Sequence, residues 1–453
     1  MRQSTRFSAR ASLAAVGLRM RQQGIWQVVE QSVHIKQKAI KHKPLDKLLD
    51  AFINILAGGD GLVEVNTRVR PDEGLQRAFG RETCAEQSLV SDTLNRCTEE
   101  TVKQMRGAVD AIYRAHSRGY RHDYQKGWQV LDVDMTGMPA GRQGEGVSKG
   151  YFSGQKNQRG RQLGRVVATL YDEIVVERLY NGKTQLNRSL DELVTAAEEV
   201  LNLDAQRLQR TIIRVDSGAG SDSDINWLLG RGCHIMVKVR HWRRALKLAQ
   251  SVTTWHPDPK VAGREVGWVE EPHPYDRPTR QLAIRNRKRN GEWSYHVVVF
   301  TLTDQLLFWL GRQPMRNDPT PEQTLFAALY AYDLRSGGAE TVIKGSKQGL
   351  GLTKRNKGLF AAQEMLVLLA QLAYNLIAWT RNLLADTSHA LRKFGILRMV
   401  RDVFHISGHL QLDAQGRVLA ISLNRKHPLA WPVAQALSSY LARDDLLLIL
   451  GQI

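Results

Sequence analysis

Three positions carry acidic residues where the surrounding sequence is apolar or tightly turned. Asp132 and Asp134 lie in the strand-like segment GWQVLDVDMT, and Asp216 ends the apolar segment TIIRVDSG. A charge in a buried strand is costly unless a metal ion or a partner compensates it. Cleavage of a phosphodiester by two metal ions requires carboxylates that converge from different elements. These acids are therefore candidates for such a site.

A further candidate acid, on a later element, is Glu340, in the segment YDLRSGGAE. Lys347 follows seven residues later, which is about two helical turns, so both side chains share one face of a predicted helix. This arrangement aligns an acid that can bind a metal ion with a cation that can bind a phosphate. Each acid alone also fits a plainer interpretation: an exposed helix, a turn residue, or the solvent face of an antiparallel edge.

The elements around these acids predict a mixed α/β sheet. The segment 127–136 alternates, so that Asp132 and Asp134 share one face. The predicted order is strand, strand, strand, helix, strand, helix, strand, over residues 127–136, 165–171, 174–180, 189–203, 211–218, 224–232 and 233–239. Asp172-Glu173 would form a tight hairpin, and Ser189 would open its helix with a capping box. This order is typical of an RNase H-like core, in which the fourth strand lies beside the first.

The flanking segments predict further domains. Residues 86–105 read as a helix-turn-helix or as ordinary helical packing, with Ser88 or Ser91 as a helix cap. A helix begins at Thr320-Pro321-Glu322, a break follows at Gly337-Gly338, and a new helix begins near Glu340. Further predictions are an apolar helix over 359–382, a hairpin over 409–423 and a last helix near 432–450.

The predicted elements divide the chain into five segments. We expect a helical DNA-end-binding domain over residues 1–125 and the first part of the RNase H-like core over 126–240. A β-rich insertion would occupy 241–318, and the second part of the core 319–382. The C-terminal region, 383–453, would contact DNA or form a dimer.

The composition favours a polyanionic partner. The chain has 64 Lys and Arg against 45 Asp and Glu, a net charge of +19 and a pI near 9.9. No acidic residue occurs over 225–257 or over 341–363. A protein that neutralises phosphates with such residues gains free energy from counterion release.

Three widely spaced cysteines offer neither a zinc site nor a disulfide framework, which fits a reducing cytosol. The most apolar run, 365–379, is too short to span a bilayer. These two features predict a cytoplasmic protein without a membrane partner.

Three blocks of the sequence resemble the DDE transposases of bacterial insertion sequences, in the branch with a Tyr–Arg–Glu–Lys signature. They are LDVDMTGMPAG with the following SKGYF, then IIRVDSGAG, then YDLRSGGAETVIKGSKQGLG. The resemblance covers roughly residues 127–430. It implies an RNase H-like fold with a β-rich insertion before the last acid, which agrees with the strand pattern.

The resemblance also implies roles for individual residues. Asp134, Asp216 and Glu340 would be catalytic and would hold two Mg²⁺ or Mn²⁺ ions, with Asp132 as the alternative first acid. The DNA-binding residues would be Tyr332, Arg335, Lys347, Lys149 and Lys344. The substrate would be double-stranded DNA, as terminal inverted repeats and as target, and paired ends imply a homodimer.

One spacing departs from the family, because four residues separate Arg335 from Glu340 where three are usual. An extra glycine, Gly337 or Gly338, would be absorbed as a looped break. Two other functions remain open: an RNase H-like nuclease without strand transfer, and an inactive regulator that binds DNA ends. In family members that form end hairpins a flipped base stacks on an aromatic ring, and Trp242, Trp255, Trp268 and Trp293 are candidates.

Overall fold

The structure, a computed structural model, describes residues 4–152, 155, 157–442 and 447–449. The N-terminal elements are β1 (Ser4–Ser8), α1 (Ala11–Gln22), α2 (Ile25–Ser32), α3 (Pro44–Leu56), α4 (Glu73–Ala78), α5 (Gln87–Asn95) and α6 (Glu99–His116). The middle strands are β2 (Gln129–Pro139), β3 (Ser148–Lys149), β4 (Arg159–Ala168), β5 (Glu173–Asn181), β6 (Thr211–Val215), β7 (His234–Lys238), β8 (His256–Pro257), β9 (Arg264–Trp268), β10 (Arg280–Arg287) and β11 (Trp293–Phe300).

The helices of the same middle part are α7 (Leu190–Leu201), α8 (Ala205–Gln209), α9 (Asp222–Gly230), α10 (Trp242–Ala249), α11 (Asp304–Leu310) and α12 (Pro321–Asp333). The C-terminal elements are α13 (Thr341–Gly349), α14 (Phe360–Thr387), α15 (Ile396–Arg398), β12 (Gly408–Leu412), β13 (Val418–Leu423), α16 (Ala430–Leu441) and β14 (Leu447–Ile449).

The chain forms two compact units. The first unit takes in the chain up to Ser117, Pro139–Val147, and the chain from Ile343 onward. The second unit takes in Arg118–Met138 and Ser148–Val342. The domain boundaries expected from the sequence stay predictions.

The first unit is mainly helical and has one small sheet. Within the described residues that sheet has the order β1-β12-β13-β14, and β12 pairs antiparallel with β13, which confirms the hairpin predicted over 409–423. Helix α14 is apolar enough to cross a membrane, with a mean hydropathy of 1.4 over its most apolar window, but 89% of that window is buried. A largely buried apolar helix of this kind is also what the core of a water-soluble protein contains.

The second unit is a mixed α/β layer structure built on one large sheet. Among the described residues the strands follow the order β3-β4-β2-β6-β7-β11-β10-β9-β8, and β5 pairs with β4. Strands β2, β6 and β7 are parallel, whereas β4 and β5 form the predicted antiparallel hairpin. Helices α11 and α12 cover one face, where Leu325 and Leu329 join Val130, Ile212 and Met236 in a common core.

The strands of 241–318, predicted as a β-rich insertion, extend this same sheet. Strand β11 pairs antiparallel with β7, from Val298 opposite Lys238 to Phe300 opposite Met236. Strands β10, β9 and β8 then continue outward in order. The segment is therefore joined to the central strands by the backbone hydrogen bonds between β11 and β7.

Several local predictions were wrong. Helix α5 begins after Glu86 without a side-chain cap, so neither Ser88 nor Ser91 caps it. The Ser189 hydroxyl donates to the Leu186 carbonyl instead of forming a capping box. The last helix ends at Leu441, and the chain forms strand β14 where the helix was predicted to continue. At the start of α5 the Gln87 backbone donates to the Asn66 side chain at 3.0 Å instead of to a serine cap.

Candidate active site

The parallel pairing among β2, β6 and β7 stops at the same level on all three strands, although β2 itself continues to Pro139. Val133 on β2 lies beside Val215 on β6, which lies beside Val237 on β7. The next residues along these three strands are Asp134, Asp216 and Lys238. The carboxyl ends of neighbouring parallel strands are the usual place for a site in such sheets. Strand order thus brings two of the three predicted acids to one edge, with a lysine beside them.

Asp132 is engaged elsewhere. Its two carboxylate oxygens accept hydrogen bonds from Arg214 Nε at 2.6 Å and Nη2 at 2.9 Å, and both side chains are buried. Arg214 also donates through Nη1 to the carbonyl oxygen of Ala331, at 2.9 Å. The compensation that a buried strand acid needs is therefore supplied by Arg214, the residue directly opposite Asp132 on β6.

Asp134 has a different environment. Its side chain is buried, and its Oδ1 accepts a hydrogen bond from the Met135 backbone at 2.8 Å. Burial raises the pKa of Asp134 to about 6, and the charges of Asp216 and Glu340 raise it as well, whereas Arg335 opposes the shift. A strongly perturbed carboxyl at the edge of a sheet is a recognised feature of functional sites.

Asp216 lies immediately after β6 and begins a 3₁₀ turn. Its Oδ1 accepts a hydrogen bond from the Gly218 backbone at 2.7 Å, which fixes one oxygen and leaves the side chain half-buried. The next glycine, Gly220, accepts a hydrogen bond from the Arg240 backbone at 3.0 Å. This bond ties the loop that carries Asp216 to the end of β7.

The helical segment that carries Arg335 and Glu340 contains a π-helical turn. Helix α12 ends at Asp333, the π turn spans Ser336–Glu340, and α13 begins at Thr341. The break predicted at Gly337-Gly338 is therefore this wide turn. A π turn is how a helix accommodates one additional residue, and such turns are frequent at functional sites.

Arg335 spans two of the three acids. Its Nη2 lies 3.3 Å from Asp134 Oδ2 and donates to the Val133 carbonyl at 3.3 Å, and its Nη1 lies 4.0 Å from Glu340 Oε1. The side chain is buried, and its Nε has no hydrogen-bond partner among the described residues. Burial alone would lower the pKa of Arg335, but Asp134 and Asp216 outweigh that effect and raise it. The guanidinium therefore stays charged at this acidic edge, where Lys238 is the neighbouring cation.

Glu340 is the most open of the three acids. Its side chain is 60% exposed, and the 4.0 Å approach to Arg335 is its ion pair. Among the described residues no group of three His, Cys, Asp or Glu side chains is arranged tightly enough to hold a metal ion. The electrostatic coupling of Asp134 to both Asp216 and Glu340 nevertheless places all three carboxylates in one neighbourhood.

Tyr332 belongs to the same neighbourhood. Burial raises its pKa, and the charges of Asp216, Asp333 and Asp134 raise it further, against the effect of Arg335. The phenol therefore keeps its proton and can donate a hydrogen bond to an acceptor such as a phosphate oxygen.

The three predicted lysine contacts lie in different places. Lys149 is exposed in the second unit, where its Nζ donates to Asn157 Oδ1 at 3.2 Å. Lys344 and Lys347 lie on α13, within the part of the chain that belongs to the first unit. Their role in DNA binding stays a prediction.

Lys238 was not predicted as a site residue. Burial lowers its pKa and Arg335 lowers it further, whereas Asp216 raises it. Its position was readable in principle, because it ends the buried strand CHIMVKV just as Asp216 ends TIIRVDSG. What could not be read was that these two strands are parallel neighbours with the same register.

The four candidate tryptophans differ in exposure and contacts. Trp255 and Trp293 both lie against the guanidinium of Arg285, at 4.3 and 4.5 Å from its Cζ to the ring centroids. Trp268 donates to the Pro321 carbonyl at 3.1 Å. Trp242, at the start of α10, is 67% exposed. Of the four, Trp242 is the ring with the most free surface.

Comparisons with known proteins complete the description of the site. The family model of the transposase DDE domain, group 1, matches residues 5–443. A solved structure, the piggyBac transposase synaptic complex with hairpin DNA, is similar at a TM-score of 0.46 and 10% identity, over 88% of this chain and 82% of that chain. No curated protein matches the sequence. Because the family match covers nearly the whole chain, this protein belongs to the transposase DDE domain group 1 family.

Proposed function

We propose that this protein is the transposase of a bacterial insertion sequence, which cleaves DNA at the terminal inverted repeats and joins the ends to target DNA. The observation that carries the proposal is the convergence of Asp134 and Asp216, which follow the last parallel pair of β2 and β6, with Arg335 and Glu340 from the helical segment. Acids from three separate elements meeting around one buried arginine are a costly arrangement for a merely structural edge.

The acids suit two Mg²⁺ or Mn²⁺ ions by their chemistry. Asp134, Asp216 and Glu340 offer only oxygen donors, and magnesium is usually held by one or two carboxylates together with substrate phosphates and water. Glu340, being exposed, can still move toward such an ion. When bound, the ions would activate the attacking oxygen and stabilise the leaving one.

In the first reaction, water attacks the phosphorus at the end of the element. A new P–O bond forms as the bond to the 3′ oxygen breaks, which leaves a 3′-OH and a 5′-phosphate. In the second reaction that 3′-OH gives up its proton and attacks the phosphorus of another phosphodiester. A new P–O bond forms as the bond from that phosphorus to its own 3′ oxygen breaks, and the released 3′ oxygen takes up a proton. Arg335 and Lys238 would hold the phosphate charge, and Tyr332 would donate to a phosphate oxygen.

We infer an RNase H-like fold for the second unit. Strand β2, which carries the first acid, lies between β4 and β6, and β6 carries the second acid at its end. The three-strand antiparallel start followed by parallel β6 and β7 is the order expected for that fold. The strands of 241–318 would then be the family's insertion, attached through β11.

The Tyr–Arg–Glu–Lys signature is part of the proposal. The π turn at Ser336–Glu340 takes up the additional residue between Arg335 and Glu340, so that both side chains still face Asp134. Lys344, Lys347 and Lys149 would contact the DNA backbone.

The partner we propose is double-stranded DNA, as terminal repeats and as target, bound by a homodimer in the bacterial cytoplasm. The net charge of +19 supports a polyanionic partner. We expect α5 and α6 to take part in recognising the ends. The peptide between them is short, as in a helix-turn-helix, and Thr98 caps α6 by accepting a hydrogen bond from the Thr101 backbone.

The test is a cleavage and joining assay. The full chain is incubated with Mg²⁺ and linear DNA that carries the repeats flanking its gene, beside Asp216→Asn and Glu340→Gln. Glu292→Gln is the matched control, because Glu292 is an exposed acid whose ion pair is with Lys288. We expect nicks and joined products for the wild type and the control, and neither product for the two site variants.

Three results would contradict this expectation in different ways. Nicks without joined product would identify a nuclease. Binding of the ends without any nick would identify an inactive regulator. Full activity of either site variant would exclude that residue from the catalytic set.

A further inference from the structure

A short loop of the second unit, together with the residue that follows it, contacts the last turn of α12, just before the candidate site. We define the tip loop as residues 258–263, which join β8 to β9. The loop is closed by the Asp258 backbone, which donates to the Arg264 carbonyl at 2.9 Å. Arg264 Nε in turn donates to Asp258 Oδ2 at 2.6 Å. These bonds make Asp258 and Arg264 one rigid pair.

Arg264 also binds α12. Its Nη1 and Nη2 donate to Asp333 Oδ1 and Oδ2, at 3.0 and 2.6 Å. Two parallel bonds between a guanidinium and a carboxylate fix orientation as well as distance. The Arg264 side chain is 13% exposed and that of Asp333 is 35% exposed, so solvent screens this pair less than it screens a fully exposed pair.

A second contact reaches the same face of the helix. Tyr330 donates from its hydroxyl to Asp258 Oδ1 at 3.2 Å, and Lys260 Nζ lies 3.4 Å from the centroid of the Tyr330 ring. Tyr330 and Asp333 are three residues apart, and residues at this spacing are neighbours on a helix surface. The loop and Arg264 therefore hold one face of the last helical turn at two points.

Asp333 is an unfavourable residue for its position. It is the last residue of α12, where the helix dipole presents its negative end, and an acid there is destabilising unless it is compensated. Arg264 supplies that compensation. The Arg264–Asp333 ion pair depends on a strand outside the central part of the sheet, because β9 lies beyond β11 and β10 in the strand order.

The residues after Asp333 are the ones that enter the site. Arg335 follows two residues later, and the π turn then carries two glycines, of which Gly337 has open space around it. A wide turn with two glycines has weak preferences of its own for direction. The position at which the π turn begins must therefore be set by residues outside the turn.

We propose that Arg264 is a positioning residue: by holding Asp333 it sets the end of α12 and thereby the direction in which Arg335 and Glu340 approach the strand ends. The inference rests on the proposed function for its catalytic consequence. Strand β9 thus acts on the site through the Arg264–Asp333 ion pair, beside the hydrogen bond from Tyr330 to Asp258.

The experiment compares two ways of removing that pair with a matched ion pair elsewhere. Arg264→Gln and Asp333→Asn each break the contact, and Asp333→Asn also removes the unfavourable charge at the helix end. The control is Arg285→Gln, because Arg285 Nε donates to Glu265 at 2.6 Å across β10 and β9 without a hydrogen bond to α12. The full chain is used throughout.

Two quantities are measured: hydrogen exchange of the amides of residues 334–340, and the rate of strand cleavage at saturating DNA. We expect both variants, but not the control, to speed exchange in this segment by about tenfold or more and to slow cleavage by about 10- to 100-fold, the usual effect of misplacing reacting groups. The double variant Arg264→Gln/Asp333→Asn should be no worse than Arg264→Gln, because that variant has already removed the contact with Asp333 as well as the one with Asp258.

Exchange over 334–340 that is the same in Arg264→Gln as in Arg285→Gln would overturn the proposal. Additive effects in the double variant would overturn it as well. If the wild type cleaves no DNA, the proposed function fails, but the exchange comparison still decides whether Arg264 positions the segment.

Discussion

Asp132 and Asp134 are two residues apart on β2, yet their carboxylates have different partners. Asp132 has a bidentate partner in Arg214, and both groups are fully buried. Asp134 shares its arginine with Glu340 and lies near another acid, Asp216. The sequence pattern treated the two as alternatives for one role. The cross-strand neighbour decides between them, and neighbours on other strands are not visible in a local pattern.

We therefore expect Asp132→Asn to destabilise the fold. Breaking a buried ion pair leaves the Arg214 charge uncompensated, which costs about 3–5 kcal/mol. Urea denaturation followed by circular dichroism measures the free energy of unfolding. Asp134→Asn is the comparison, and it should lower that free energy less, because Asp216 still compensates the Arg335 charge. Equal urea midpoints for Asp132→Asn and the wild type would show that the Arg214 pair has no such role.

Asp134 also predicts a pH dependence of stability. Its pKa is about 6 in the folded protein and about 4 in an unfolded chain, so the folded state binds the proton more tightly. This contribution to stability is fully present below about pH 4 and is lost as the pH rises through about 6. Two pKa units correspond to about 3 kcal/mol at most.

The measurement is the free energy of unfolding of the wild type minus that of Asp134→Asn, in EDTA, from pH 4 to pH 8. The difference should fall as the pH rises and level off above about pH 7. A difference that is constant over this range would mean that Asp134 has an ordinary pKa.

Among the elements, the π turn sets the geometry of the third acid. Gly338 lies so close to β2 that a Cβ there would be 2.2 Å from Asp132 Oδ2 and 2.6 Å from the Thr169 side chain. Asp132 cannot retreat, because Arg214 holds both of its oxygens. The close approach of the turn to the strand therefore requires glycine at this position. Gly337, by contrast, has nothing within 4 Å of such a Cβ.

The two glycines form a matched pair for mutation. Gly338→Ala should cost about 1–3 kcal/mol, as overpacking of a filled site usually does, and should also slow DNA cleavage. Gly337→Ala should change stability by less than about 0.5 kcal/mol. Thermal unfolding and the cleavage assay give both quantities. Similar effects of the two substitutions would show that the turn does not pack against β2 in this way.

The central strands and helix α12 were predicted well because their signals are local. Alternating or continuous apolar runs identify β2, β6 and β7, and Thr320 does cap α12 by accepting from the Gln323 backbone. The π turn was not predicted, since two glycines in a row also fit a loop. Its form depends on what the turn packs against, and Asp132 lies far away in the sequence.

On the scale of the whole molecule, the large sheet joins segments that the sequence pattern separates. Strand β11 pairs with β7, so the strands of 241–318 lie in the same sheet as the acid-bearing strands. Composition alone predicts strands in this segment but not their neighbours, because pairing over long sequence distances depends on the folded core. This continuity is what lets Arg264, on β9, reach α12.

The basic charge of the chain predicts a steep dependence of DNA affinity on salt. Each lysine that contacts a phosphate contributes about one unit to the slope of log K against log salt. Lys149→Gln should reduce that slope by about 1. Lys288→Gln is the control, because Lys288 is paired with Glu292 on the turn between β10 and β11. Fluorescence anisotropy with labelled duplex measures the slopes, and equal slopes for Lys149→Gln and the wild type would exclude Lys149 from the contact surface.

The central claim, that Asp134, Asp216 and Glu340 hold the catalytic metal ions, is tested most directly by a change of metal preference. Mn²⁺, a transition-metal ion, accepts a thiolate ligand more readily than Mg²⁺ does, so Asp216→Cys should lose cleavage in Mg²⁺ and regain part of it in Mn²⁺. Asp333→Cys, a nearby acid outside the proposed set, should keep the wild-type ratio of the two rates. An Asp216→Cys enzyme with the wild-type ratio of Mn²⁺ to Mg²⁺ cleavage would contradict the account.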